Sequence, residues 1–348
     1  MTEGPVNQKV RPSPSTGKSF IHDHQLSMNP CTNPTIFYNH GQYVAHDVGP
    51  RPQPKLAMQF SYCSTPLYHD IQPPTFLSWT DDILPRENDP PWENKTDERL
   101  LWRGSNTGIN YNDGTRWTYA QRTQLVRRMN EMNGTEKVLF SPGDVPNEYR
   151  DTMAVGEGVD MPTALLNPAM MDIAFTGYPL GCDPAYCNYL ETLFEWRNQV
   201  DSNSKVVGNH KYFVDVRLSR VRSSAAHGSR PSHRLMGMAG RAGSSASSLP
   251  TLWSLKLPHT PNGSCPFILF DISFLITGNR WIDRIQPWVH YVPVQVDYSD
   301  LYDAYIFFRG GLYGEGNHDE LARKIATAGR EWSRSFWRQE DMTAYFFR

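Results

Sequence analysis

The spacing of apolar residues along the chain predicts three helices. One is predicted over 115–132, and a second over Pro184–Trp196, where Asp183 fits the N-cap and Pro184 the first helical position. The third follows Asn317, its expected N-cap. Its apolar positions recur at helical spacing and are Leu321, Ile325, Ala328, Trp332 and Phe336.

Short apolar runs between these helices predict buried strands. The runs are Ile173–Gly177, Lys211–Val216 and His290–Val296. Strands that alternate with helices are typical of an α/β architecture with a parallel sheet.

Composition limits the partners that we expect. The net charge of −2 over 348 residues gives no general attraction to nucleic acid or to anionic membranes. From Arg217 to Phe270 there is no Asp or Glu, and Arg recurs with Ser and Gly, which predicts disorder. This stretch is the basis of an alternative, nucleic-acid binding, but aromatic residues are not interleaved there. We therefore expect no nucleic-acid partner.

Residues 1–24 are polar and are predicted to form an unfolded tail, with no signal peptide visible. The most apolar run, Pro266–Ile276, is too short to span a bilayer, so we expect no membrane span in this chain. Among the five cysteines, Cys182 and Cys187 flank Asp183-Pro184. Their spacing does not match a zinc site, and both a disulfide and two buried thiols remain open.

The segment Leu100–Gly108 reads Leu-Leu-Trp-Arg-Gly-Ser-Asn-Thr-Gly. A guanidinium such as that of Arg103 offers a fixed fork for phosphate oxygens. Gly104 permits close approach of the backbone to a ligand, and the hydroxyl of Ser105 adds a donor. The alternative is an arginine that pairs with a carboxylate at the end of a buried strand.

Asp70 lies in the run Tyr68-His69-Asp70-Ile71, just before two prolines. An ionised carboxylate in such a loop is able to take a proton from a hydroxyl, which is a poor nucleophile until it is deprotonated. The alternative is a turn carboxylate that accepts hydrogen bonds from the backbone.

Four segments in this order resemble the CAP10 glycosyltransferases (glycosyltransferase family 90), which include fungal capsule-associated proteins and animal protein O-glucosyltransferases. They are Tyr68–Ile71, Leu100–Gly108, His210–Tyr212 and Trp288–Val294. The resemblance implies a GT-B-like α/β fold, in which two Rossmann-like halves enclose a cleft. It implies an N-terminal half over 25–95 that carries the base and the acceptor surface. A donor-binding half over 96–348 follows, interrupted at 217–280.

The resemblance also implies an inverting transfer of xylose or glucose from a UDP-sugar to a hydroxyl of a glycan or protein. Asp70 would be the base, and the donor would be bound by Arg103, Gly104, Ser105, Lys211, Tyr212 and His290. The alternative for the segment around His290 is sheet core. The chain has no Asp-x-Asp pair, so we expect no metal and no cofactor besides the donor substrate. The family implies the secretory pathway, although no anchor is visible in this chain.

The resemblance stops between Asp215 and Trp281. When Leu235–Gly263 is read two nucleotides out of frame, suitable synonymous codons permit Asp-Gly-Tyr-Gly-Trp-Ser-Gly-Arg-Phe and the rest of the missing family segment. Our hypothesis is that 217–280 contains unspliced intron and an exon in the wrong frame, and forms a disordered insertion. Activity of this exact chain is then expected to be impaired. The alternative is a non-catalytic relative or an aberrant gene product.

Overall fold

The computed structural model describes residues 18, 20–39, 44, 90–141, 158–200, 208–216, 268–271, 284–336 and 339–346. The predicted base Asp70 lies outside the described residues. So does most of the predicted insertion at 217–280, of which only 268–271 are described.

Eight strands are formed by the described residues. In chain order they are β1 (Asp97–Gly104), β2 (Thr135–Leu139), β3 (Gly158–Pro162), β4 (Met171–Thr176), β5 (Trp196–Arg197), β6 (His210–Asp215), β7 (Ile268–Asp271) and β8 (Val292–Pro293). Strands β2 and β3 pair antiparallel, and the other six form one sheet whose pairings are all parallel. The predicted α/β architecture with a parallel sheet is confirmed.

The strands of the large sheet lie in the order β5-β4-β1-β6-β7-β8. Numbered along the chain within this sheet, the order is 3-2-1-4-5-6, which is the order of a doubly wound, Rossmann-like sheet. The chain builds outward from β1 in one direction and then returns to the other side of β1 with β6. We call the place between β1 and β6, where the direction reverses, the switch point.

Eight α-helices are formed by the described residues. They are α1 (His24–Ser27), α2 (Ile36–Asn39), α3 (Gln121–Met129), α4 (Thr163–Met170), α5 (Pro184–Leu193), α6 (Leu301–Arg309), α7 (Asp319–Phe336) and α8 (Gln339–Phe346). Two 3₁₀ turns, Trp92–Asn94 and Trp117–Tyr119, precede β1 and α3.

A large cluster of apolar side chains lies on one face of the large sheet. Alternate residues of β1 and β4, such as Leu100, Trp102 and Ile173, are buried there, and helices α3 to α7 supply the opposing apolar side chains. Because side chains alternate along a strand, the intervening residues of β1 lie on the opposite face. Charged residues gather on that face, which we call the charged face: Asp97, Arg99, Arg103, Asp172, Arg197 and His210.

The helix predicted over Pro184–Trp196 is confirmed as α5, although it ends earlier, at Leu193. Its N-cap is Asp183, as predicted, because the Asp183 carboxylate accepts a hydrogen bond of 2.8 Å from the backbone N–H of Tyr186. Pro184 follows the cap at the first helical position. An N–H at that position would have no partner within the helix, so its absence in proline costs nothing there.

The helix predicted over 115–132 is interrupted. A 3₁₀ turn and α3 are separated by Ala120, whose backbone is extended with ψ of 138°. The break makes Gln121 the first residue of α3, so that the side chain of Arg122 lies in the first helical turn.

Two other predicted elements differ at their bounds. The strand predicted over His290–Val296 is reduced to β8, because Pro293 has no N–H to donate to the ladder. Helix α7 begins at Asp319, two residues after Asn317. The Asn317 side chain is not its N-cap and donates instead to the carbonyl of Gly314 at 2.7 Å.

The end of the segment predicted as an unfolded tail packs on the domain. The Lys18 ammonium forms an ion pair with Asp303 at 2.7 Å, and Ile21 is buried. His24, also buried, has its Nδ1 2.9 Å from the hydroxyl of Tyr291. The predicted boundary of the tail at residue 24 therefore overlaps residues that are in contact with the fold.

Part of the predicted insertion belongs to the sheet. Residues Ile268–Asp271 form β7, which pairs in parallel with β6 on one side and β8 on the other. The prediction of disorder over 217–280 therefore does not hold for these residues, and for the remainder it stays a prediction.

Cys182 and Cys187 form a disulfide, so the structure has the bonded arrangement of the two that the sequence leaves open. The bond ties the loop after β4 to the first turns of α5. In the part of the chain that is described, no helix combines the length and apolarity needed to cross a membrane.

Candidate ligand-binding site

The switch point is the candidate ligand site. In doubly wound sheets, ligands bind in the crevice outside the carboxyl ends of the strands where the order reverses. Here β1 ends at Gly104 and β6 ends at Asp215. The described residues that border this crevice are therefore those that directly follow the two strands, Ser105 after β1 and Val216 after β6.

Gly104 is required by packing inside the sheet. A Cβ atom at this position would lie 2.6 Å from the Trp102 ring, which is buried in the core. The sequence suggested that this glycine lets a ligand approach the backbone, whereas the contact in the structure is with a neighbouring ring.

The loop after β1 is held firmly in place. The buried Asn106 side chain donates to the carbonyl of Leu180 at 3.0 Å and accepts from its N–H at 2.9 Å, while the Tyr111 hydroxyl donates to the Asn106 carbonyl at 2.8 Å. The hydroxyl oxygens of Ser105 and Thr107 lie 2.9 Å apart. The loop therefore presents two adjacent hydroxyl groups at the carboxyl edge of the sheet.

Arg122 joins the two loops of the switch point. Its Nη1 donates to the Ser105 carbonyl at 2.9 Å and to the Thr107 hydroxyl at 2.9 Å, and its Nε donates to the Val216 carbonyl at 3.0 Å. The residue is 5% exposed. A guanidinium group thus lies buried at the crevice and contacts the loop that follows each of the two strands.

The charge of Arg122 has no hydrogen-bonded counter-ion among the described residues. All its acceptors are neutral carbonyl or hydroxyl oxygens. Burial lowers the pKa of Arg122, and the more distant charge of Asp215 opposes that shift. Its remaining nitrogen, Nη2, makes no hydrogen bond within the described part of the chain.

Arg103, the predicted phosphate-binding arginine, lies on the charged face. Its Nη1 donates to the Asp172 carbonyl at 2.6 Å and its Nη2 to the Asp172 carboxylate at 2.5 Å. Burial lowers the pKa of Arg103, and the hydrogen bond from its guanidinium to Asp172 opposes the shift. This geometry matches the alternative considered from the sequence, an arginine paired with a carboxylate.

Asp172 is the centre of the charged face. It accepts from Arg103 and also from Arg197, while Arg99 lies 3.9 Å and His210 3.5 Å from its other oxygen. Burial alone would raise the pKa of Asp172, but hydrogen bonds from His210 and Arg103 and the charges of Arg103 and Arg99 hold it well below its usual range. The carboxylate is therefore ionised, and the arginine charges around it are partly neutralised.

Lys211 and Tyr212, two further predicted donor residues, lie near the amino end of β6. The Lys211 ammonium is 3.0 Å from both Glu98 and Asp319. Tyr212 is buried, with its ring against those of Trp92 and Tyr305. With a rise of about 3.3 Å per residue, Lys211 lies roughly 13 Å along β6 from its carboxyl end. The structure does not bring these residues to the switch point.

His290 precedes the short strand β8. Its Nδ1 accepts from the N–H of Gln286 at 2.9 Å, and its ring lies against that of Trp332. Burial lowers the pKa of His290. Of the predicted donor residues that are described, the structure therefore brings together Gly104 and Ser105 at the switch point, while Arg103, Lys211, Tyr212 and His290 point to other surroundings.

Sequence reasoning missed Arg122. A signal for it existed, since a basic residue in the first turn of a helix opposes the helix dipole and is disfavoured there. The predicted helix over 115–132 hid this signal, because it placed Arg122 in the middle of a helix rather than at its start.

Comparison with known proteins found partial similarities to protein O-glucosyltransferases. The chain is 28% identical over 96 residues to protein O-glucosyltransferase 2 of Danio rerio. This match covers 28% of this chain and 17% of the relative. It is 30% identical over 86 residues to protein O-glucosyltransferase 1 of Rattus norvegicus and 29% over 86 residues to that of Homo sapiens, covering 24% of this chain and 19% of each relative.

The matches span less than a fifth of the length of these curated relatives. No family model matches the chain, and no solved structure matches it. The partial similarities support a glycosyltransferase-like relationship. Among the described residues, no group of three or more His, Cys, Asp or Glu is arranged to hold a metal ion.

Proposed function

We propose that this protein is a glycosyltransferase of the CAP10 type, which moves a sugar from a UDP-sugar to a hydroxyl group of a protein or glycan. The observation that carries the proposal is the partial similarity to protein O-glucosyltransferases. The fold supports it, because a doubly wound sheet offers a nucleotide-binding crevice at its switch point.

The architecture proposed for the whole protein is GT-B-like. The parallel sheet that contains β1 and β6 would be the donor-binding half over 96–348, and the half over 25–95 would carry the acceptor surface. The donor would enter the crevice beside Ser105 and Thr107, whose hydroxyls lie at the carboxyl edge of the sheet.

The proposed reaction is an inverting single displacement with Asp70 as the general base. Asp70 takes the acceptor proton as the acceptor oxygen forms a bond to the anomeric carbon. The bond from that carbon to the phosphate oxygen breaks, and its electron pair leaves with UDP. Cationic groups near the diphosphate would stabilise the charge that develops there. No metal ion is invoked, in keeping with the absence of an Asp-x-Asp pair.

The donor sugar would be glucose or xylose, as the family resemblance implies. The secretory pathway is the proposed location, and the disulfide between Cys182 and Cys187 supports it, because structural disulfides persist in oxidising compartments. The side chains of Asn94 and Asn133, both in glycosylation sequons, are exposed and compatible with that location.

The second candidate is a non-catalytic relative, and the segment 217–280 favours it. By the family resemblance, this segment should hold an Arg-Phe pair whose arginine binds the donor, and no Arg-Phe pair occurs there. Loss of one charged contact that strengthens in the transition state costs about 3 kcal/mol, roughly a hundredfold in rate.

The test compares this chain with a restored chain, in which residues 217–267 are replaced by the family segment that the displaced frame permits and strand β7 is kept. Each purified protein is incubated with UDP-glucose or UDP-xylose. Donor binding is measured by calorimetry and UDP release by a coupled assay. We expect both chains to bind a UDP-sugar and the restored chain to release UDP at least about a hundred times faster.

In the restored chain, Asp70→Asn should lower the rate by about 100-fold or more while donor binding is retained. Donor binding without turnover in both chains would establish the non-catalytic alternative. Absence of saturable UDP-sugar binding in both chains would refute the proposed function.

A further inference from the structure

Arg122 lies where the two strands of the switch point, β1 and β6, end. Its guanidinium donates to the carbonyl of Ser105 after β1 and to that of Val216 after β6, so it joins the residues that directly follow the two strands of the switch point. Ligands of this sheet topology bind at that crevice. Arg122 is thus within reach of any ligand that enters between the carboxyl ends of the two strands.

Among the described residues, Arg122 has no carboxylate at hydrogen-bonding distance, and the charge of Asp215 acts on it from further away. Buried charges in proteins are normally paired, because removal of a charge from water is costly. Here the hydrogen-bond acceptors are neutral and the residue is 5% exposed. The amino group Nη2 makes no hydrogen bond among the described residues. An anionic ligand would supply the missing charge and accept from Nη2.

The backbone N–H groups at the start of α3 are further hydrogen-bond donors for an anion. The first N–H groups of a helix have no partner within the helix, and here no side chain caps them, since Ala120 holds the N-cap position. Helix N-termini favour anions, and a cation in the first turn opposes the dipole. An anion bound beside Arg122 would satisfy both the helix terminus and the guanidinium.

We propose that Arg122 is a ligand of the diphosphate group of a nucleotide-sugar bound at the switch point. This assignment rests on the proposed function and adds to it a residue that neither the family resemblance nor the sequence pattern singled out. The hydroxyls of Ser105 and Thr107 lie beside the guanidinium, and the one that accepts in their mutual hydrogen bond is able to donate to a phosphate oxygen. Arg103, which is hydrogen-bonded to Asp172, has a smaller part in binding.

The test compares Arg122→Gln with Arg127→Gln, a matched control on α3 whose side chain is exposed. Affinities for UDP, uridine and inorganic pyrophosphate are measured by calorimetry, and folding is checked by circular dichroism. A merely structural role of Arg122 would weaken UDP and uridine alike. A residue that binds the diphosphate contributes to the affinity for UDP and not to that for uridine. The ratio of the two affinities therefore reports whether Arg122 binds the diphosphate.

We expect the preference for UDP over uridine to fall roughly 10- to 100-fold in Arg122→Gln and to stay unchanged in Arg127→Gln. If Arg122→Gln does not fold, Arg122→Lys replaces it. Arg122→Lys keeps a charge but loses the fork, and we expect a fall of about threefold or more. An unchanged preference in the folded Arg122 variant would overturn the assignment.

Three outcomes separate this inference from the proposed function. Arg122-dependent binding of pyrophosphate without preference for any uridine nucleotide would support the anion site and contradict the UDP-sugar donor. UDP binding that does not depend on Arg122 would leave the proposed function intact and refute the assignment. Failure of the wild-type protein to bind both UDP and pyrophosphate would overturn both.

Discussion

Arg103 and Arg122 are arginines near the carboxyl end of the same strand, yet their partners differ in charge. Arg103 lies on the charged face and is hydrogen-bonded to the Asp172 carboxylate. Arg122 lies at the switch point, and its acceptors among the described residues are neutral oxygens. Removal of one partner from a buried ion pair destabilises a protein, so we expect Arg103 to act mainly in the fold. Arg122 has no carboxylate at hydrogen-bonding distance among the described residues, so an anionic ligand is able to pair with its charge. The sequence motif favours Arg103 as the phosphate ligand, and the geometry favours Arg122.

Asp172→Ala should have the largest effect on stability. It leaves the largely buried Arg103 without its carboxylate, and removal of one partner from a buried ion pair costs about 3–5 kcal/mol. We expect the free energy of unfolding, measured in urea, to fall by about 3 kcal/mol. Asp160→Ala on the exposed strand β3 is the control and should change it by less than about 0.5 kcal/mol. Similar losses in both variants would contradict the structural role of the charged face.

Asp300 is a buried carboxyl that forms no ion pair with the described residues, in contrast to Asp172. Asp300 is 2% exposed, its Oδ1 accepts from the N–H of Gln295 at 2.9 Å, and its Oδ2 has no hydrogen-bond partner in the described part of the chain. Burial raises the pKa of Asp300 to about 7. The folded protein therefore holds a proton that the unfolded chain releases, and stability should fall as pH rises from about 4 to 7.

Asp300→Asn should remove this pH dependence and increase stability at pH 8 by about 1–2 kcal/mol, because the unpaired amide retains part of the cost. The pH dependence of stability that Asp172 causes has the opposite sign. Its pKa is lowered on folding, so its contribution is present above about pH 4 and is lost below that value. Urea unfolding between pH 4 and 8 checks the Asp300 effect. An Asp300→Asn variant with the wild-type pH profile would refute it.

Arg103→Gln should have the smallest effect on ligand binding. If the diphosphate contacts Arg122, the preference for UDP over uridine should change less than about threefold in Arg103→Gln, although the protein is destabilised. Calorimetry with both ligands, performed on Arg103→Gln beside Arg122→Gln, checks the contrast. A larger fall in the Arg103 variant than in the Arg122 variant would restore the role that the family motif implies.

The sequence predicts the local elements of this fold well and their arrangement poorly. Helix α5 is predicted because Asp183 and Pro184 form a local start signal, and strand β6 because its apolar run is continuous. The order of strands depends on contacts between distant residues, which a local pattern does not contain. The site depends on that order, because the order decides which loops meet.

The sequence also predicts only part of the candidate site, because the site depends on which loops the fold brings together. Gly104 and Ser105 are predicted from the motif and do lie at the switch point. Lys211 is predicted from the same resemblance, but its ammonium is paired with Glu98 and Asp319 near the amino end of β6. Arg122 is missed, because its importance depends on a helix that starts at Gln121 and on two loops far apart in the chain.

A crystal structure of the protein with bound UDP would locate the diphosphate directly. We expect it at the carboxyl ends of β1 and β6, with a phosphate oxygen within hydrogen-bonding distance of the Arg122 Nη2 atom. A diphosphate bound to Arg103 on the charged face, with Arg122 still bonded only to Ser105, Thr107 and Val216, would contradict it.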